Sequence, residues 1–286
     1  MTIHEASQQL RFQLFHLYDE REAGNIMDLV MEHITGWKKI DRIVHKTVPL
    51  SAMQLRTLEA CKSALLQHEP VQYVLHEAWF CDLRLYVDEN VLIPRPETEE
   101  LVDWLLSDAG NAKSLLDKSI LDIGTGSGCI ALSIKNKWPL ADTHACDISE
   151  AALNVAKKNA TDLLLEVNFH LLDILSEIKW DTLPLFDIII SNPPYIPDKD
   201  RHTMAPNVLQ HEPGTALFVA GDDPLLFYRV IAAFAATHLK KNGLIYLEIH
   251  EDMAAAVTDL YKEKGFSNIE VRKDLQGKER MVKLSS

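Results

Sequence analysis

The stretch Leu121-Asp122-Ile123-Gly124-Thr125-Gly126-Ser127-Gly128 decides the fold. It closes a short apolar run at 119–123 and opens a helical pattern at 128–135. A strand that turns on glycines into a helix is the first half of a βαβ crossover. Working outward, apolar strand-like runs recur at 142–146, 167–172, 186–191, 244–249, 269–273 and 280–284, seven strands in all. Helical patterns occupy 151–159, 225–239 and 253–264 between them. Alternating strands and helices predict a mainly parallel sheet covered on both faces. The last two strands have no helix between them, so they are expected to pair antiparallel.

A glycine loop of this kind lets the backbone turn tightly and lets a ligand approach it closely. Alone it serves a dinucleotide, S-adenosylmethionine or a plain tight turn. Asp147 ends the next predicted strand, 23 residues after Gly124. Adenosine ligands need a carboxylate there for the ribose hydroxyls. The third glycine comes one residue early for a dinucleotide fingerprint, and Cys129 fills the usual place. That shift favours a nucleoside without a pyrophosphate. Asp173, at the end of the following strand, is placed to reach an adenine amine; a helix cap is the plainer use of a lone aspartate.

The second motif is Ser191-Asn192-Pro193-Pro194-Tyr195, directly after the run 186–190. Loops at the carboxyl ends of such strands are where ligands bind. A planar amine or amide nitrogen is a poor nucleophile, because its lone pair is delocalised. Asn192 offers a carbonyl for one N–H, and a main-chain carbonyl of the Pro193-Pro194 turn offers another. The prolines contribute no competing donors and fix the carbonyl directions. Tyr195 supplies a flat packing face.

Residues 1–71 read as a small helical bundle, with Leu10, Leu14, Leu17 and Tyr18 at helical spacing and a stop at Gly24-Asn25. Trp37 fits its surface or its core. Residues 72–95, with Tyr73-Val74-Leu75, Trp79-Phe80 and Leu83 to Val87, read as a β-hairpin linker. Residues 96–286 form the third part, the α/β domain. The chain carries a formal charge of -13, and beyond residue 72 acidic side chains outnumber basic ones by 33 to 21. No basic stripe of the kind that grips phosphates is present, so direct nucleic-acid binding is not expected. The four cysteines form no Cys-x-x-Cys pair, so neither a metal site nor a disulfide framework is expected. No run reaches the ~18–20 apolar residues of a membrane span, and the N-terminus has no signal-peptide core. A cytoplasmic protein, monomeric in the simplest case, is the expectation.

Asn-Pro-Pro-Tyr after a glycine-rich loop is similar to the amino-methyltransferases as a group. Two further segments narrow the resemblance, Val91-Leu92-Ile93-Pro94-Arg95-Pro96-Glu97-Thr98-Glu99 and His211-Glu212-Pro213-Gly214-Thr215-Ala216-Leu217. With Gln72-Tyr73, Leu247-Glu248-Ile249, Asp274-Leu275-Gln276-Gly277 and Arg280, nearly the whole chain resembles the release factor glutamine N5-methyltransferases. The resemblance implies a class I, Rossmann-like methyltransferase fold with a small N-terminal helical domain that helps recognise the substrate protein. It implies methyl transfer from S-adenosylmethionine, leaving S-adenosyl-L-homocysteine, to the glutamine amide of the Gly-Gly-Gln loop in class-1 peptide chain release factors, in support of translation termination. Gly124, Thr125, Gly126, Ser127 and Gly128 would hold the methionine end, Asp147 the ribose, and Asp173 and Ile174 the adenine. Asn192, Pro193, Pro194 and Tyr195 would clamp the substrate amide, with Asn192 also bordering the cofactor. His76 and His250 stand where the family usually has glycine. Rival readings are a glutamine methyltransferase of a ribosomal protein, an adenine or guanine amino-methyltransferase, and a non-catalytic cofactor-binding scaffold.

Overall fold

The computed structural model of the chain describes residues 1–108, 118–204, 206–219, 221 and 223–285. The contacts divide it into two compact units, Met1–Glu77 with Ala205–His211, and Ala78–Met204 with Glu212–Ser286.

The first unit is helical, with α1 (Ile3–Leu14), α2 (Glu20–Thr35), α3 (Lys39–Val44), α4 (Ala52–Leu65) and α5 (Val71–Leu75). Capping boxes start α1 at Thr2/Glu5 and α4 at Ser51/Gln54, and Asp19 caps α2. Each cap satisfies amides that a helix start leaves without partners. Ile3, Leu10, Leu14, Ile26, Val30, Leu58 and Leu65 meet in one core. Trp37 lies half-buried against that core, its ring 4.8 Å from the ring of His45. Two local expectations fail here. Gly24-Asn25 does not stop a helix; α2 runs through it and ends at Gly36, whose φ of 69° permits the left-handed cap. Gly24 instead lies within α2 beside the Arg11 side chain, whose Nε an added Cβ would meet only at 4.0 Å. Tyr73-Val74-Leu75 is the short helix α5 and not part of a hairpin; it ends on His76, whose φ of 51° is left-handed. Glycine adopts that conformation at least cost, which accounts for the residue type the resemblance leads one to expect there.

In the second unit the predicted hairpin is confined to β1 (Ala78–Phe80) and β2 (Leu83–Leu85), antiparallel to each other. Then follow α6 (Pro96–Asp108), β3 (Ser119–Ile123), α7 (Cys129–Lys137), β4 (Asp142–Asp147), α8 (Glu150–Asp162), β5 (Asn168–Leu171) and β6 (Phe186–Ser191). After β6 come β7 (Ile196–Pro197), α9 (Pro206–His211, part of the first unit), α10 (Gly214–Leu217) and β8 (Phe218–Val219). The chain closes with α11 (Leu226–His238), β9 (Leu239–Glu248), α12 (Ala254–Glu263), β10 (Asn268–Lys273) and β11 (Glu279–Ser285).

Seven strands form one sheet in the order β10-β11-β9-β6-β3-β4-β5. The pairs among β9, β6, β3, β4 and β5 are parallel, and β11 is antiparallel to both its neighbours. Alternate residues of the central strands serve opposite faces. Leu121 and Ile123 pack with Ile189, Ile245 and the α11–α12 residues Tyr228, Phe234 and Tyr261. Ile120 packs with Ile188, Ile190 and Tyr246 against Leu101, Trp104, Ile130 and Ile134 of α6 and α7. Full burial of such side chains stabilises by roughly 1.5–3 kcal/mol each. The strand order reverses direction at β3 and β6, so the loops after them open side by side at the carboxyl edge.

Candidate active site

Strand β3 delivers the glycine loop to that edge. The amides of Gly124 and Thr125 donate to the Cys146 carbonyl of β4, at 2.9 and 3.0 Å. Gly124, Gly126 and Gly128 have φ of 74°, 54° and 83°, a left-handed backbone that explains three glycines in five residues. They differ in what surrounds them. A Cβ on Gly124 or Gly126 would point into open space, whereas one on Gly128 would lie 3.0 Å from Leu132 and 3.2 Å from the Ala156 side chain. The first two therefore border a cradle, and the third lets α7 pack against α8.

Two aspartates brace the loop. Asp122 is fully buried, and its Oδ2 accepts from Thr125 Oγ1 at 2.6 Å and from the Ala131 amide at 3.2 Å. Its Oδ1 has no partner among the described residues, and neither has the buried Ser127 Oγ. Burial pushes the Asp122 carboxyl up to about 7, against the two hydrogen bonds that favour its ionised form. Asp147, at the end of β4, accepts from the Gly126 amide and the Ser149 amide, both at 2.9 Å. Burial raises its pKa, while these backbone donors oppose the rise. Asp173 follows β5 and closes a local turn onto the Leu175 amide at 2.9 Å; Ile174 beside it is buried. Ile148, next to Asp147, is 61% exposed, a bare apolar side chain at the same edge. Spacing alone did not single it out.

Asn159 is another residue the motifs did not flag. From α8 its Nδ2 donates to the Ser127 and Tyr86 carbonyls, both at 2.9 Å, and its Oδ1 accepts the Tyr86 amide at 2.7 Å. The buried amide thus ties the glycine loop to the segment after the hairpin.

Strand β6 delivers Asn192. Ser191 anchors the turn by donating from Oγ to the Ile123 carbonyl at 2.7 Å. Asn192 Nδ2 donates to Thr98 Oγ1 at 3.1 Å, and Thr98 Oγ1 donates to Glu248 Oε2 at 2.6 Å. Thr98 lies in the first turn of α6, and Glu248 ends β9. Pro193 is buried, and Pro194 and Tyr195 are half-buried. The Tyr195 ring stands edge-on to the ring of His250, 5.9 Å between centroids. His250 keeps an ordinary backbone, so its side chain costs no strain there. The Tyr195 hydroxyl is pushed up by burial and by the nearby Glu248 charge. Arg280 is braced by Asp274 at 3.3 Å and Glu251 at 3.4 Å.

The segments on either side of this edge are clipped together. Arg95 Nη2 meets Glu212 Oε1 at 2.6 Å, and Glu212 Oε2 accepts the Ile93 amide at 3.3 Å. The segment 91–99 thereby meets the start of the segment 212–217 through one buried carboxylate, Glu212. All four cysteines are free thiols. No cluster of His, Cys, Asp or Glu able to hold a metal ion, and no helix long and apolar enough to cross a membrane, occurs among the described residues.

Comparison with known proteins places this geometry in a family. The Methyltransferase small domain matches residues 102–222, and the PrmC N-terminal domain matches residues 4–75. A release factor glutamine methyltransferase of Flavobacterium psychrophilum is 39% identical over 272 residues, 95% of either chain. One from Bacteroides thetaiotaomicron is 38% identical over 273 residues, 96% of either chain. The 16S rRNA N2 G1207 methyltransferase of T. thermophilus, solved with AdoMet and guanosine, shares the fold with a TM-score of 0.51 at 17% identity, over 73% of this chain and 49% of that one. Sequence identity of this depth over essentially full length, together with the two loops at one sheet edge, shows that the chain belongs to the family of release factor glutamine methyltransferases.

Proposed function

We propose that the protein methylates the side-chain amide nitrogen of the glutamine in the Gly-Gly-Gln loop of class-1 release factors, using S-adenosylmethionine. The relatives named above are release factor glutamine methyltransferases by name, and the match extends over both units of this chain. The observation that carries the reading is the Asn192 side chain. Its Nδ2 is engaged by Thr98, which leaves Oδ1 without a donor among the described residues, at the edge where the glycine loop also ends.

The residues present fit the cofactor. Gly124 and Gly126 border space that any side chain would enter. Asp147 spends one lone pair of each oxygen on backbone amides, and the remaining pairs suit the two ribose hydroxyls. Asp173 keeps one carboxylate oxygen for an adenine amine, and Ile174 and Ile148 supply apolar surface for the ring. When bound, S-adenosylmethionine supplies an electrophilic methyl group.

The chain's own residues then orient the nucleophile. Asn192 Oδ1 accepts one N–H of the glutamine amide, and a carbonyl of the Pro193-Pro194 turn accepts the other. Held in this way, the amide presents its nitrogen face to the methyl group. No strong base is required before transfer, since the nitrogen becomes acidic as it gains the methyl and releases a proton afterwards. Orientation of two reactants contributes up to about 7–11 kcal/mol to lowering a barrier. Tyr195 packs the aliphatic part of the substrate side chain. The helical unit contributes recognition of the release factor outside its loop. The acidic excess beyond residue 72 argues against a nucleic-acid substrate, and a monomer working in the cytoplasm fits the whole.

Transfer of labelled methyl from S-adenosylmethionine to a purified class-1 release factor tests the proposal, beside a Gln→Ala variant of its Gly-Gly-Gln loop and a duplex DNA. Label on the wild-type factor alone is expected. Label on the DNA, or equal label on both factors, contradicts the reading.

A further inference from the structure

Asparagine is nearly symmetric in shape. Its Oδ1 and Nδ2 exchange places by a half-turn that packing alone scarcely resists. Only hydrogen bonding decides which atom faces the substrate. An Nδ2–H directed at the substrate amide would set donor against donor and misplace the nitrogen. The orientation of Asn192 therefore has to be imposed by its neighbours.

The geometry points to Thr98 and Glu248 as positioning residues that fix the Asn192 amide in its productive orientation. The inference rests on the reading of Asn192 as the amide acceptor. An ionised Glu248 offers only acceptors, so the Thr98 hydroxyl must donate its single proton to Oε2, at 2.6 Å. The Thr98 oxygen is then left as an acceptor, and Asn192 Nδ2 fills it at 3.1 Å. The flipped amide would place two acceptors face to face. A charge on β9 thus dictates the polarity of a hydrogen bond on β6 through one hydroxyl on α6. Both Thr98 and Glu248 are buried, at 3% and 3% exposure, so water does not relax the constraint.

The chain of polarity has a condition. A protonated Glu248 can donate to Thr98, which frees the Thr98 proton to bond Asn192 Oδ1 and admits the wrong orientation. Glu248 is faced by Thr98 and Glu97 of α6, by Tyr195 after β6, by Tyr228 of α11 and by Arg280 of β11. Burial raises its pKa to about 7, with Glu97 adding to the rise and Thr98, Arg280 and Tyr195 opposing it. Turnover is accordingly expected to fall as pH drops through about 7, on one proton.

The test measures kcat, the KM for S-adenosylmethionine and the pH profile of the whole protein acting on a release factor. Thr98→Val keeps the shape and removes the hydroxyl; Thr98→Ser restores it. Thr98→Val is expected to lose about ten- to a hundred-fold in kcat, the scale of a small misplacement of reacting groups, with the cofactor KM unchanged. Thr98→Ser is expected to recover most of it, and Glu248→Gln to lose turnover together with the acidic limb near pH 7. Thr98→Val turning over at the wild-type rate beside an inactive Asn192→Ala overturns the inference and leaves the role of Asn192 standing. Equal loss in Thr98→Val and Thr98→Ser reduces Thr98 to packing and also overturns it. An Asn192→Ala protein at the wild-type rate removes the reading on which the inference rests.

Discussion

Two alanine substitutions two residues apart in the loop separate the cofactor cradle from the fold. Gly126 and Gly128 share a left-handed backbone, with φ of 54° and 83°. An L-residue in that conformation costs roughly 1–2 kcal/mol, so both variants lose at least that. Gly126→Ala adds little more, because its methyl meets nothing within 4 Å. Gly128→Ala forces its methyl to 3.0 Å from Leu132 and 3.2 Å from Ala156, and overpacking of this kind costs a further ~1–3 kcal/mol. At about 2–4 °C per kcal/mol for a chain of this size, Gly126→Ala should melt a few degrees below wild type and Gly128→Ala clearly lower. Adding S-adenosylhomocysteine at roughly 100 times its Kd stabilises wild type by about 2.7 kcal/mol. Gly126→Ala should lose most of that rise, since its methyl projects into the cradle. Gly128→Ala should keep much of it. Thermal denaturation with and without the ligand reads all four quantities. A full ligand-induced rise in Gly126→Ala, or equal melting of the two variants, refutes the division of roles.

Other consequences are as direct. Asp147→Asn keeps the size of the side chain but gives up charge-assisted acceptance, so S-adenosylhomocysteine affinity should drop about ten- to a hundred-fold by calorimetry; unchanged affinity contradicts the ribose assignment. Asp122 has a folded-state pKa near 7 against an ordinary value of 3.8. A raised folded pKa gives stability that is present below the unfolded value and lost as pH rises through the folded one, here between about pH 4 and pH 7. Relative to wild type, Asp122→Asn should therefore gain urea resistance across that window, by at most about 4 kcal/mol; parallel curves for the two proteins rule this out. Glu212→Gln leaves Arg95 without its charge partner and weakens the clip between 91–99 and 212–217, by about 1–3 kcal/mol given the partial exposure of Arg95. The loss should appear as a lower melting temperature with the Ile93 contact retained, and a melting temperature equal to wild type counts against the clip.

What the sequence displays is what local pattern encodes. The glycine loop, Asp147 and the Asn192 turn each sit within a few residues of a strand end, and their positions follow from β3, β4 and β6 being where periodicity places them. The antiparallel closing pair β10–β11 follows from the missing helix between them. The bundle was harder. Gly24-Asn25 looks like a stop, yet the helix continues through it, since an interior glycine costs only about 1 kcal/mol, and Gly36 supplies the real cap. Val71–Leu75 has the composition of a strand, and five residues are too few for periodicity to correct that. The Thr98–Glu248 bond joins positions 150 apart, and Asn159 reaches Tyr86 across 73; no spacing rule connects them. Only the folded sheet, which brings α6, β6 and β9 to one edge, makes them neighbours.

The central claim is that Asn192, which also borders the cofactor, acts chiefly by holding the acceptor amide and not by folding the loop. Single-turnover methyl transfer to the release factor by Asn192→Ala, at saturating S-adenosylmethionine, tests it most directly. The account predicts a rate lower by about a hundred-fold or more, with S-adenosylhomocysteine affinity and melting temperature close to wild type. A single-turnover rate within a few-fold of wild type contradicts it.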